Sequence, residues 1–234
     1  MSVQNIILII IVIILLFFFL KYIYSDKTRI SGLQDAKLAK EVSSAELSNP
    51  NNMSNFAYSC WIYISNWNYR YGDEKIVLLR KDATGNPCPM IYLDKLENNL
   101  IAKFACFSSS DQTHTPEEFN CTLNNIPLQT WCNVTISIYN RTLDMYLNGK
   151  LVRTCILPGV PIMDQSTSLT ITPQGGFAGY TSNVNFYGHP LNPREAYNIY
   201  RDGFTGGGVL DYFGRYSVKV ALYKDAQEQA SLAI

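Results

Sequence analysis

The sequence carries no excess of either charge, since 19 Lys and Arg balance 19 Asp and Glu, and no long run of one sign occurs. That balance excludes a nucleic-acid surface, which requires concentrated positive charge. There are two histidines, His114 and His189, and neither has a Ser or Cys motif beside it. GxSxG, P-loop and dinucleotide fingerprints are all missing. Thr205 and the three glycines after it read as a joint, because no helical pattern starts behind them to cradle a phosphate. Six cysteines (Cys60, Cys88, Cys106, Cys121, Cys132 and Cys155) include no closely spaced pair of the kind a zinc site uses.

Glycosidase chemistry is also poorly supplied. Retaining hydrolysis needs two carboxyl groups about 5 Å apart, and no Glu-x-Asp-x-x-Glu pattern occurs. Glu117 and Glu118 are adjacent, as are Asp73 and Glu74, so on a strand each pair points to opposite faces. They read as solvated charges, and no catalytic residue or cofactor is expected. Asp82, Asp94, Asp111 and Asp164 are loop or strand-end candidates for Ca²⁺, but no spacing selects them.

Apolar and aromatic residues, by contrast, are plentiful. Ile6 to Leu20 contains only Ile, Leu, Val and Phe. Continued to Tyr24, with Lys21 snorkelling, a helix there reaches about 28 Å and can span a bilayer. A signal peptide would need a basic start and a small-residue cleavage site, and neither is present. Lys21, Lys27, Arg29, Lys37 and Lys40 all follow the span, so the positive-inside rule places the bulk of this single-pass chain on the cytosolic side. There the cysteines should be reduced, and Cys60, Cys132 and Cys155 fit apolar strand patterns as small core residues. Sequons at Asn52, Asn120, Asn133 and Asn140 are no more than this much Asn, Ser and Thr produces by chance.

The organisation expected is an anchor over 1–24, a polar stalk over 25–55, a β-domain over 56–204, and a glycine joint with a C-terminal strand or hairpin over 205–234. In the stalk, "LQDAKLAKEVSSAEL" has helical spacing. From Phe56 onward, short apolar runs alternate with turn signals, the pattern of an antiparallel sandwich or barrel. "FAYSCWIYIS" has little polar relief and should be covered on both faces, whereas "SSSDQTHTPEEFNCTLNN" reads as a long polar loop. "TLDMYLNGKLVRTC" is a hairpin closed by Asn148 and Gly149, a pair suited to the positive φ of a type I′ turn. Asn192, Pro193 and Gly203 bracket the one helix expected within the domain. The best set of aromatics for a sugar or a neighbouring protein is Trp67, Tyr69 and Tyr71 in "NWNYRYGDEK"; they could equally pack on the first strand.

"WCNVTISIYNRTLDMYLNGKLV" from Trp131, together with "GGFAGYTSNVNFYGHPLNPREAYNIYRDGF" (175–204) and "YSCWIYIS", resembles the laminin-G/concanavalin-A-like pattern over residues 56 to 204. The resemblance implies an all-β jelly-roll of two antiparallel sheets, with Asn148 and Gly149 serving backbone geometry. The N-terminal anchor, "WNYRYG", "NGKLVRTCILPGV" and "NIYRDGF" together resemble membrane-anchored proteins of large icosahedral DNA viruses. That likeness implies a non-enzymatic minor capsid protein of the virion inner membrane, with the membrane and capsid proteins as partners. A lectin-like protein contacting glycans is the alternative.

Overall fold

The computed structural model describes residues 11, 12, 14–16, 28–47, 55–108 and 116–205, with the backbone of 219–224 and 227–233. Two seven-stranded antiparallel sheets face each other. The first runs β1 (Arg29–Ser31), β14 (Ala178–Tyr187), β4 (Phe56–Asn66), β9 (Trp131–Tyr139), β10 (Thr142–Leu147), β11 (Lys150–Ile156), with β2 (Gln34–Asp35) also on β14. The second runs β12 (Gly159–Pro161), β7 (Leu100–Ser108), β6 (Pro87–Leu93), β5 (Lys75–Lys81), β13 (Leu169–Ile171), β3 (Lys40–Val42), with β8 (Pro116–Leu123) also on β7. β15 (Lys219–Lys224) and β16 (Gln227–Ala233) pair antiparallel as a separate hairpin.

The core follows from period-two alternation. Phe56, Tyr58, Cys60, Ile62 and Ile64 of β4 and Cys132, Val134, Ile136 and Ile138 of β9 point inward. They meet Leu78, Ile91, Leu93, Leu100, Ala102 and Phe104 of the opposite sheet. Burying each large side chain stabilises by about 1.5–3 kcal/mol.

The outer face of the first sheet is covered as well, which explains why β4 shows so little polar relief. Helix α1 (Pro193–Asp202) and its flanks lie over it. Asn192 caps α1 by accepting from Arg194 N and Glu195 N, while the Glu195 carboxylate accepts from Asn192 N, a complete capping box. The covered face is polar. Asn133 donates to Ser59 Oγ at 3.0 Å, and Thr135 Oγ1 donates to Ser59 Oγ at 2.9 Å. Ser137 Oγ accepts from Leu191 N at 2.8 Å, and Ser182 Oγ donates to Phe204 O at 2.7 Å. Aromatic rings complete the cover: Trp61 stacks on Tyr200 and Trp131 on Phe204, with centroids 5.6 and 4.7 Å apart. The sequon at Asn133 is thus inside the protein, whereas Asn120 and Asn140 are exposed.

Several expectations are corrected. The segment read as a stalk supplies β1, β2 and β3, which join both sheets, and a 3₁₀ turn at Ser44–Leu47 replaces the expected helix. The polar loop contains β8, an edge strand whose exposed Pro116, Glu117 and Glu118 conceal the buried positions Cys121 and Leu123. Cys155 is not a free core thiol. It forms a disulfide with Cys121, because β8 and β11 are the edges of opposite sheets on the same side, with Cα atoms 6.2 Å apart. Of the expected anchor, Ile11, Val12 and 14–16 are helical, and the rest lies outside the described residues, as do Asp111, His114 and the sequon at Asn52. Among the described residues, no helix is long and apolar enough to cross a membrane.

Candidate binding surface

The loop between β4 and β5 carries the expected aromatic trio, and the structure separates its members. Trp67 packs against the core, donates from Nε1 to Leu96 O at 3.2 Å, and receives the Lys75 ammonium over its ring at 4.5 Å. Burial, reinforced by the nearby Arg70 charge, lowers the Lys75 pKa. Tyr69 donates to Gly175 O at 3.2 Å and lies under Lys37 Nζ. Arg70 Nη1 donates to Gln174 O at 2.6 Å, which ties this loop to the segment before β14. Only Tyr71, 61% exposed, presents its ring to solvent. Two of the three aromatics therefore shape the loop, and one is offered for contact.

The acidic candidates are likewise occupied by their own loops. Asp82 accepts from Thr84 N, Thr84 Oγ1, Asn86 N and Asn86 Nδ2. Asp94 accepts from Leu96 N and Glu97 N, and Asp164 from Ser166 N and Oγ. The pKa values of all three are lowered, and these hydrogen bonds outweigh the opposing effect of burial. Asp82, Asp94 and Asp164 are turn-builders held ionised. A glycosidase general acid needs the opposite shift. Among the described residues, no group of three His, Cys, Asp or Glu could hold a metal ion.

The Asn148–Gly149 turn has a second role beyond its geometry. Both residues have positive φ, 52° and 71°. Asn148 Oδ1 accepts from Asn133 N at 2.9 Å. A Cβ on Gly149 would lie 2.8 Å from Tyr197 Cα, so the turn is also where α1 docks. The hairpin anchors the helix that seals the outer face.

One edge of the first sheet is open among the described residues. β11 pairs with β10 alone among the described strands. Its Leu151, Val152 and Ile156 are 47%, 55% and 62% exposed, and exposed Tyr139 and Tyr197 lie on the elements around it. Lys150 and Arg153 flank Leu151 and Val152, and an unpaired edge can accept another strand. The sequence pattern marks this stretch as a hairpin arm, and the chain after it crosses to the second sheet as β12, which leaves β11 unpaired on that side. The disulfide ties this edge to β8. The other four thiols are buried, and burial raises Cys60 and Cys132 to about 12 and Cys88 and Cys106 to about 11. They are inert packing groups.

The family profile described as the concanavalin A-like lectin/glucanases superfamily matches residues 39–196. No curated protein matches the chain. Among solved structures, the botulinum neurotoxin serotype D binding domain is similar at 14% identity and a TM-score of 0.52, covering 74% of this chain and 42% of its own. The receptor binding domain of a mosaic serotype C/D botulinum neurotoxin gives 13% identity and a TM-score of 0.51, covering 75% and 51%. The serotype D/C binding domain gives 14% identity and a TM-score of 0.51, covering 70% and 40%. The chain thus spans about half or less of these structures, and the likeness is one of fold.

Proposed function

We propose that this chain, which belongs to the concanavalin A-like lectin/glucanases superfamily, is a non-enzymatic tether: an N-terminal apolar segment holds it in a membrane and its sandwich grips a protein partner. The partner class is the capsid of a large DNA virus, and the membrane is the inner one of the virion. The observation that carries this reading is the unpaired edge of β11, where Leu151 and Val152 are exposed between Lys150 and Arg153, and Ile156 beyond them, on the sheet whose outer face is covered by the chain's own helix.

The test uses membranes bearing the full chain. Leu151→Lys with Val152→Glu places charges on the edge, the device by which natural edge strands refuse partners. Crosslinking to coat proteins should fall at least about tenfold, the equivalent of about 1.4 kcal/mol, with the unfolding midpoint unchanged. Undiminished crosslinks would reject the edge as the contact.

A carbohydrate-binding reading rests on Tyr71 alone, the exposed ring of the aromatic loop. If it holds, Tyr71→Ala abolishes retention on glycan beads without loss of stability. Trp67→Ala is the poorer probe, because Trp67 packs on the core and on Lys75.

A further inference from the structure

The chain enters the sandwich at a defined end. Thr28 O accepts from Phe186 N at 2.9 Å and Arg29 pairs with Asn185, so β1 starts beside the C-terminal end of β14. Tyr187 there pairs with Ala57, and Ala57 with Ser137, two residues before Tyr139 at the end of β9. A cross-strand row then runs from Tyr139 through Thr142 to Ile156. At the β9–β10 turn, Arg141 Nε donates to Leu157 O at 3.0 Å, and Leu157 N donates to Arg141 O at 2.7 Å. Two residues later β12 begins, and its Val160 pairs with Phe107 of β7. Both sheets therefore meet at the end where the chain comes in.

This end carries exposed apolar groups on both sheets. Tyr139, Ile156, Phe107 and Val160 are 59%, 62%, 50% and 42% exposed. Ile138, Cys155 and Cys106 beside them belong to the core, so by alternation Tyr139, Ile156 and Phe107 face outward. Arg141 is exposed at the tip. Single exposed apolar residues are ordinary; the chain in front of these gives them a partner. Only residues 25–27 lie between Tyr24, where the apolar segment ends, and Thr28. Four steps of extended chain reach at most about 14 Å. A membrane anchor ending at Tyr24 therefore keeps this end of the sandwich within that distance of the bilayer. β4 leads from Phe56, near Tyr139, to the loop that carries Tyr71, and its eleven residues span about 33 Å.

We propose that this end of the sandwich is a lipid-contacting face, which seats the domain end-on in the headgroup layer of the membrane that anchors it. The proposal rests on the anchor reading. Aromatic rings such as those of Tyr139 and Phe107 suit the membrane–water interface, where the tyrosine hydroxyl stays wet. Ile156 and Val160 add apolar area, and the Arg141 guanidinium can pair with headgroup phosphates. Because the anchor already holds the domain at the surface, the contact is intramolecular and needs little affinity of its own. β11 then leads away from the bilayer. Its Ile156 lies at the membrane, while Leu151 and Val152, toward the Asn148–Gly149 turn, stay free for a partner strand.

The test uses the full chain in phosphatidylcholine vesicles that contain lipid spin-labelled at the headgroup. A fluorophore is attached through Tyr139→Cys, through Val160→Cys or, as the distant control, through Tyr71→Cys. Four native thiols are buried and the other two form the disulfide, so the new cysteine takes the label. Fluorescence should be lost at the Tyr139→Cys and Val160→Cys labels and retained at Tyr71→Cys. Adding Ile156→Glu with Phe107→Glu should restore it at both, because carboxylates stay in water, while the chain still floats with the vesicles and unfolds at the parent midpoint. Quenching that is equal at all three labels, absent at the first two, or unaltered by the glutamates would overturn the face and leave the anchor standing. A chain that does not float with the vesicles would overturn the anchor and this face with it. A Tyr139→Cys label shielded only when coat protein is added would assign the face to a protein and overturn the lipid contact.

Discussion

Gly179→Ala should unfold this protein about 6–12 °C earlier than the parent chain, the largest loss expected from any one added methyl group. A Cβ at Gly179 would lie 1.8 Å from the Tyr63 carbonyl oxygen and 2.9 Å from its carbon. Both are backbone atoms of β4, so no rotamer change relieves the clash. β14 must move off β4 at the Gly179–Ile64 pairing, in the interior of the first sheet. Overpacking a tight site costs about 1–3 kcal/mol, more when backbone has to move, and a chain of this size loses about 2–4 °C per kcal/mol. The effect spreads to the lead-in. Ala36 N donates to Gly179 O at 2.9 Å and Phe177 N to Ala36 O at 3.3 Å, so residues around β2 are held at the same point. Limited proteolysis should therefore cut 28–40 faster in the variant. An unchanged midpoint would mean that β14 shifts without cost.

That junction also shows what sequence patterning could reach. β9 and the β10–β11 hairpin were legible because they alternate and end in recognisable turns, and β4 because it is a long apolar and aromatic run bounded by polar segments. The helix was legible from Asn192, Pro193 and Gly203, all of which act as expected. β1, β2 and β3 are two or three residues long, too short for any period to show, and long-range pairing alone defines them. Hence the stalk reading failed. β8 was hidden for a different reason. It is an edge with one neighbour, so Pro116, Glu117 and Glu118 face water and dilute the apolar signal of Phe119, Cys121 and Leu123.

Site residues divide in the same way. Gly149 was correctly read as a turn former, but its contact with Tyr197 lies about fifty residues away in sequence, beyond any local pattern. The aromatic loop was found, yet composition could not tell Tyr71, which faces solvent, from Trp67, which covers Lys75. Arg80 ends an apolar run, "KIVLLR", where a strand-terminal charge normally reaches water, yet its side chain is buried. Its direction is set by the bulges that shift the β5–β6 register between Ile76 and Leu78 and between Leu79 and Lys81. A register shift of one residue exchanges the two faces of a strand.

The Cys121–Cys155 bond yields the second large effect and bears on topology. The double variant Cys121→Ala with Cys155→Ala should lose about 3–4 kcal/mol under oxidising conditions, from the entropy that a 34-residue separation releases to the unfolded chain. The midpoint should fall on the order of 10 °C. A reductant should lower the parent by the same amount and leave the variant unchanged, because Cys60, Cys88, Cys106 and Cys132 are buried and unpaired. A parent midpoint indifferent to reductant would show that the bond contributes nothing. The bond also ties β11, the edge proposed to hold the partner, to the opposite sheet, so opening it should loosen that edge before the core. Amide exchange should then quicken first in Lys150–Ile156 and Pro116–Leu123. Disulfides persist in oxidising surroundings and open in the cytosol, which sets the bond against the charge-based orientation. A tether facing the cytosolic side would carry open thiols at Cys121 and Cys155 while it is assembled and close them once outside the cell. Thiol alkylation of chains from intact cells and from released particles separates the cases. Two additional reactive cysteines in the cellular sample are expected; a disulfide already formed inside the cell would place the domain on the lumenal side and reverse the topology.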